Sequence, residues 1–217
     1  MRMGKKDFRK ERKDLYSPKA GISEVDVPRM RFITITREGT IDNERAQEAA
    51  EILFDLSYAV KMSLAGGTQP CGYHDYEIMP LETLFGAKDA PFDPRNRRTW
   101  EWTMMVRQPR FVNESLFESL KASEERYHPE LDVSSAYLTD LEEGRSVQKM
   151  HAGSYRSVSE SIEEMLTYMQ DREYVANGPL HEIYMTGPGR VEESNLRTIL
   201  RFPVAPRSMN KEKRTAP

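Results

Sequence analysis

Hydrophobic and polar residues alternate in several short stretches of the chain and recur at helical spacing in others. The stretch Met30–Arg37 (MRFITITR) is rich in β-branched residues and predicts a strand. Apolar residues between Ala46 and Leu64 fall on one helical face, after two N-cap side chains and before a glycine pair. The first half therefore predicts a strand, a helix opened by Asp42 and Asn43 and ended by Gly66–Gly67, and strands at Tyr76–Glu82 and Trp100–Arg107 separated by a loop over residues 86–99.

The second half of the chain repeats this order of elements. A helix over Asn113–Arg126 connects the halves, since its leucines and phenylalanine have helical spacing. Ser157 followed by Glu160 has the spacing of a capping box and predicts the start of another helix. Strands are predicted near Ser134–Leu138 and at Arg145–His151, Leu180–Met185 and Leu196–Phe202.

An order of strand, helix, strand, strand that occurs twice predicts the fold class. We expect an α+β domain of two modules, over about 28–110 and 111–205, that form one antiparallel sheet with helices on one face and a ligand cleft on the other. The charged segments 1–14 and 206–217 are expected to be frayed tails around a domain at 15–205.

Composition and charge narrow the classes of function. The 217 residues carry a formal net charge of −3, which lacks the cationic excess that drives binding to a phosphate backbone, so direct nucleic-acid binding is disfavoured. No stretch approaches the ~20 apolar residues of a membrane-spanning helix, and the basic N-terminus lacks the apolar segment of a secretory signal, so we expect a cytoplasmic protein. About 30 residues precede the first predicted strand, too few for a helix-turn-helix domain, so a complete transcription factor is not expected.

Cysteine and histidine usage points away from metal chemistry. A single cysteine, Cys71, excludes an internal disulfide framework and a thiolate-rich zinc site, and the four histidines are scattered. The phosphate-cradling, dinucleotide-binding, nucleophile-elbow and zinc-protease motifs do not occur in the sequence. We therefore expect neither a metal nor a cofactor.

The predicted strand Leu180–Met185 (LHEIYM) carries the strongest candidates for chemistry. Its alternation puts Glu182 and Tyr184 on one face and His181 and Ile183 on the other. If the Ile183 face packs on the helices, Glu182 and Tyr184 face the cleft, where a carboxylate would attract a cation or activate a water. The alternative is a solvated sheet face on which Glu182 pairs with a lysine or arginine.

Aromatic residues supply the other candidates. Trp100 and Trp102 share one face of their predicted strand and are either core residues or a stacking platform for a flat ligand. Tyr76 and Glu82 share a strand face provided that Pro80 causes no bulge. Tyr155 lies at a strand-to-helix junction, where it either borders a pocket or packs in the turn.

Six sequence segments together resemble the GyrI-like small-molecule-binding proteins. They are KDLYSPK (Lys13–Lys19), MPLE (Met79–Glu82), WEWTMMVRQPRFV (Trp100–Val112), HAGSY (His151–Tyr155), HEIYMTGPGR (His181–Arg190) and LRTILRFPV (Leu196–Val204). The resemblance implies two modules related by a pseudo-twofold axis with a ligand cleft between them. The family includes effector-binding domains of multidrug-responsive activators, a DNA gyrase inhibitor and stand-alone hydrolases of cyclopropanoid, DNA-alkylating natural products.

The resemblance also implies roles for individual residues. Glu182 is similar to the family's central pocket glutamate, while Phe85 and Ser154 stand where the family often has tryptophan and proline. We expect a cyclopropanoid hydrolase in which Glu182 activates water and Tyr184 hydrogen-bonds the developing oxyanion. The alternatives are a module that sequesters multidrug-type lipophilic cations and a protein-interaction module. The expected partner is a planar aromatic or cationic small molecule, bound by a monomer or homodimer through Tyr76, Glu82, Phe85, Trp100, Trp102 and Tyr155.

Overall fold

The computed structural model describes residues 5–39, 41–63, 70–87, 100–187 and 191–208, without the side chains of Ala87 and Trp100. In these ranges the α-helices are α1 (Phe8–Glu11), α2 (Lys13–Tyr16), α3 (Asn43–Met62), α4 (Glu114–Tyr127) and α5 (Val158–Asp171). The strands are β1 (Ile22–Val27), β2 (Met30–Glu38), β3 (Leu81–Ala87), β4 (Trp100–Gln108), β5 (Ala136–Leu141), β6 (Gly144–Ala152), β7 (Tyr174–Ala176), β8 (Leu180–Tyr184) and β9 (Arg197–Pro206).

All strand pairs of the sheet are antiparallel, in the order β1-β6-β9-β8-β3-β4-β2-β5, and β7 pairs with β9. The order is symmetric between the two halves of the chain. Exchanging each strand with its counterpart, β1 with β5, β2 with β6, β3 with β8 and β4 with β9, gives the same order read from the opposite edge. Thus β1 pairs with β6 of the second half, and β5 pairs with β2 of the first. The predicted α+β class with a repeated strand, helix, strand, strand order is therefore confirmed. The halves meet at the β3–β8 pair.

Helices α3 and α5 cover one face of the sheet. The Gln108 side chain donates to Ser57 Oγ of α3 at 2.9 Å, and His151 Nδ1 lies 3.0 Å from Ser161 Oγ of α5. Strand alternation and cross-strand register place Gln108 and His151 on the same face as Glu182. We call this the helix face. The expectation that Glu182 and Tyr184 lie opposite the helices is wrong, because one strand's alternation does not indicate which face the helices cover.

The opposite face is covered by residues 5–16, which we call the N-terminal strap. The backbone of Lys6 exchanges hydrogen bonds with Asp75 and Glu77 at 2.9 and 2.8 Å. Phe8 and Leu15 are buried in the core. The strap carries many charges, but its few apolar residues are enough to dock it, so from residue 5 onward this segment is not the frayed tail that its composition suggested.

Several element boundaries differ from the predictions. Asp42 caps α3 as expected, with its Oδ1 accepting from Arg45 N at 2.9 Å, whereas Gly66–Gly67 lie outside the described residues. Ser157 forms no capping box, because its hydroxyl donates to the Ser154 carbonyl at 2.9 Å. Strand β3 begins at Leu81, so Tyr76 precedes it and only bridges to Lys6. In the part of the chain that is described, no helix is long and apolar enough to cross a membrane.

Candidate functional site

Glu182 and Tyr184 lie on β8, where the two halves of the sheet meet. The Tyr184 hydroxyl donates a hydrogen bond to Glu182 Oε2 at 3.1 Å. Burial raises the pKa of Tyr184 well above its ordinary value, and the nearby Glu182 charge raises it further. The phenol therefore keeps its proton across the physiological range and remains a donor to the carboxylate.

Tyr155 adds a second aromatic ring to this pair. It lies in the 3-10 turn Tyr155–Ser157, and its ring meets that of Tyr184 edge-on, with centroids 5.7 Å apart and planes at 89°. Burial, followed by the Glu182 charge, raises the pKa of Tyr155. Because Tyr155 is 37% exposed, it forms the outer part of this cluster.

An apolar row on the helix face lies beside Glu182. Phe85 of β3 pairs with Trp102 of β4 on one side and with Leu180 of β8 on the other. All three side chains are buried. The Arg45 guanidinium of α3 stacks over the Trp102 ring, 5.5 Å from its centroid. The predicted residues Phe85 and Trp102 thus share a face with Glu182, while the side chain of Trp100 lies outside the described residues.

Two predicted ligand-binding residues lie elsewhere. Glu82 pairs with Ile183 and Met105, which places it on the face opposite Glu182, and it is fully buried. Tyr76 packs in a separate aromatic cluster, 6.5 Å from Phe8 and 6.0 Å from Phe111 between ring centroids. The prediction that Tyr76 and Glu82 share a strand face is wrong, because the strand starts only after Pro80.

Glu82 instead belongs to a buried charge cluster with His181, Glu143 and Arg201. His181 lies 2.8 Å from Glu82 Oε2 and 3.1 Å from Glu143 Oε1, and Arg201 lies 3.0 Å from Glu143 Oε2. Burial opposes the charged imidazole, but the Glu143 and Glu82 carboxylates raise the pKa of His181 to about 9. Burial likewise opposes charge on Glu143, yet His181 and Arg201 lower its pKa to about 2.

This cluster fastens the N-terminal strap to the sheet. Arg201 donates to the Leu15 carbonyl at 2.9 Å, and the neighbouring Gln148 donates to the Asp14 carbonyl at 2.6 Å. Four charges of balanced sign are thus held between strap and sheet, where each is compensated. We assign the cluster a structural role.

Sequence reasoning missed Thr83, which is fully buried. It lies on β3 and is the cross-strand partner of Glu182 on β8, so the two side chains share a face. The predicted strand ended at residue 82, so Thr83 was not considered. Alternation within Leu81–Ala87 is the signal that would have placed it on the Glu182 face. Within the described ranges, no group of three or more histidine, cysteine, aspartate or glutamate side chains is arranged to hold a metal ion.

Comparison with known proteins agrees with this architecture. The model of the GyrI-like small-molecule-binding domain matches residues 120–205. The structure of an uncharacterized conserved protein from Listeria innocua is 35% identical, with a TM-score of 0.84 over 93% of this chain and 100% of that one. The chain belongs to the GyrI-like family.

Other structures are similar to this GyrI-like chain. A hydrolase from Listeria innocua is 33% identical, with a TM-score of 0.82 over 93% of this chain and 100% of that one. The C-terminal domain of EcmrR is 13% identical, with a TM-score of 0.55 over 87% of this chain and 98% of that one, and shares the fold. No curated protein matches the sequence significantly.

Proposed function

We propose that the protein hydrolyses planar cyclopropanoid electrophiles of the DNA-alkylating kind. The observation that carries this proposal is the 3.1 Å hydrogen bond from Tyr184 to the Glu182 carboxylate, beside the Tyr155 ring. Trp102, Phe85 and Leu180 on the same face make the surroundings of Glu182 apolar, in keeping with an apolar substrate. Similarity to a hydrolase from Listeria innocua supports the reaction class.

In the proposed reaction, Glu182 accepts a proton from water while the water oxygen attacks the cyclopropane carbon. A carbon–oxygen bond forms and the strained carbon–carbon bond breaks. Its electron pair moves through the conjugated ring to the carbonyl oxygen, which then takes up the proton. Ring strain lowers the demand on the protein, so one well-placed base and good positioning of the substrate are sufficient.

We propose a different role for Tyr184 from the oxyanion contact that was expected from the sequence. A phenol has one proton, and in the structure that proton is donated to Glu182. We therefore assign Tyr184 to holding the carboxylate in place.

The test is incubation of the purified protein with a spirocyclopropyl dienone alkylator, followed by mass spectrometry. We expect catalytic conversion to the ring-opened product that has gained one water. Glu182→Gln should slow turnover by about 100-fold or more and still bind the compound. Glu160→Gln, on the exposed side of α5, is the matched control and should behave as the wild type. Full turnover by Glu182→Gln would contradict the proposal.

A second candidate function is the sequestering of lipophilic cations without turnover. The observation that favours it is a carboxylate placed beside two aromatic rings, since both groups attract cations. N-methylacridinium and neutral acridine have the same ring system and provide the test. Under this hypothesis Glu182→Gln weakens binding of the cation much more than binding of the neutral ring. Equal loss for both compounds would exclude it.

A further inference from the structure

His151 lies near the end of β6, beneath the turn that carries Tyr155. It is 5% exposed and lies on the helix face, in register with Thr198, which in turn pairs with Tyr184. Both ring nitrogens have partners. Nδ1 lies 3.0 Å from Ser161 Oγ of α5, and Nε2 lies 3.1 Å from the Ser154 carbonyl oxygen.

These two contacts determine which nitrogen carries the proton. A carbonyl oxygen only accepts, so Nε2 must donate to Ser154. In the neutral ring Nδ1 then accepts from the Ser161 hydroxyl. His151 is therefore held as the Nε2-protonated tautomer by its surroundings.

The tautomer excludes a different interpretation of the same residues. Ser157 Oγ lies 3.4 Å from His151 Nε2, so Ser157, His151 and Ser161 resemble a nucleophile, a base and an orienting group. However, Nε2 already bears a proton and cannot take one from Ser157. Ser157 donates instead to the Ser154 carbonyl at 2.9 Å. Both side chains thus converge on one carbonyl oxygen.

The turn held in this way positions Tyr155. Gly153 has a φ of +123°, in the region that favours glycine, and its N–H donates to the Leu196 carbonyl at 3.0 Å. Tyr155 directly follows Ser154, whose carbonyl oxygen accepts from His151 and Ser157, and its ring meets that of Tyr184 edge-on. We propose that His151 is a positioning residue of the candidate site: by donating from Nε2 to Ser154, it holds Tyr155 against Tyr184. Its effect on ligands rests on the proposed function, whereas its effect on Tyr155 does not.

The first test measures the tautomer and needs no ligand. Nitrogen NMR of the wild-type protein labelled with 15N-histidine distinguishes the protonated from the unprotonated ring nitrogen. His151 is assigned by the loss of its signal in His151→Gln. We expect the proton on Nε2. A neutral ring with its proton on Nδ1 would overturn the proposal, because such a ring has nothing to donate to Ser154.

The second test uses two amides that replace different halves of the imidazole. Gln places its amide near the Nε2 position and keeps a donor for Ser154, whereas Asn reaches only the Nδ1 position. We expect the nuclear Overhauser effect between the Tyr155 and Tyr184 rings to persist in His151→Gln and to be lost in His151→Asn. Its persistence in both variants would overturn the proposal, whether or not the protein has the activity proposed above.

The third test measures the consequence for ligands, with N-methylacridinium as the probe. His151→Asn should raise the dissociation constant about tenfold, since misplacement of a binding wall is costly, and His151→Gln should change it less than about threefold. Ser57→Ala is the matched control, because it removes a buried hydrogen bond to Gln108 beneath α3 in the other half of the domain. Equal weakening by Ser57→Ala and His151→Asn would overturn the assignment, since it would indicate a general loss of stability.

Discussion

Tyr184 tests the proposed chemistry at the scale of a single residue. Tyr184→Phe removes the donor to Glu182 Oε2 and keeps the ring that meets Tyr155. Turnover of the cyclopropanoid probe should fall by about 100-fold, because the carboxylate is no longer held in place and misplacement of a reacting group is costly. The unfolding free energy should fall by about 1 kcal/mol. Steady-state kinetics and urea unfolding check both values.

Tyr137→Phe is the control for this variant, since Tyr137 is exposed on the edge strand β5 and should tolerate the change. If Tyr184→Phe keeps wild-type turnover, then Tyr184 does not orient Glu182 during the reaction. If both variants lose turnover equally, the loss does not come from the contact between Tyr184 and Glu182.

At the same scale, the sequence placed side chains on the correct strand face only where it also predicted the strand boundaries correctly. Glu182 and Tyr184 were paired correctly by alternation, because both lie inside one uninterrupted strand. Glu82 was misplaced, because its face depends on where β3 begins, and Pro80 shifts that start by several residues. A change of one residue in strand register exchanges the two faces, so such an error moves a side chain from the site to the opposite side of the sheet.

At the scale of an element, the stability of helix α3 should affect the candidate site. Its first turn carries Arg45, whose guanidinium lies over the Trp102 ring. Asp42→Ala removes the side-chain cap on Arg45 N and should cost about 1 kcal/mol of unfolding free energy. Asn113→Ala removes the equivalent cap of α4, a 2.9 Å hydrogen bond to Leu116 N, at a similar cost. We expect tryptophan emission to change only in Asp42→Ala. An equal change in both variants would show that the change in emission does not arise from movement of Arg45 relative to Trp102.

The elements themselves were predictable to different degrees. Helices α3 and α4 and strands β2, β4, β6, β8 and β9 follow local periodicity and were predicted near their observed positions. Strand β1 was missed, because polar residues occupy half of its positions and the strand with which it pairs, β6, lies far away in sequence. The capping box at Ser157 failed because the Ser154 carbonyl competes for the same hydroxyl. Local pattern does not contain these long-range and competing contacts.

At the scale of the whole molecule, the two halves depend on each other. Each half contributes its first strand to the other half's edge, and β3 and β8 join the halves at the centre of the sheet. The buried charge cluster lies at this junction, since Glu82 belongs to β3 and His181 to β8. Unfolding of one half would therefore expose strand edges and buried charges of the other, which favours a single cooperative transition.

This cluster makes the stability of the whole domain dependent on pH. The pKa of His181 is raised from 6.5 to about 9 in the folded protein, so its stabilisation is complete below pH 6.5 and is lost as the pH rises through 9. The pKa of Glu143 is lowered from 4.5 to about 2, so its stabilisation is complete above pH 4.5 and is lost as the pH falls through 2. The unfolding free energy measured by urea denaturation should be highest between pH 4.5 and 6.5 and should fall by a few kcal/mol, as an order of magnitude, from pH 6.5 to 9. His181→Gln should remove the decline, while His128→Gln, at an exposed histidine, should retain it. A decline that survives in His181→Gln would show that another group titrates on unfolding.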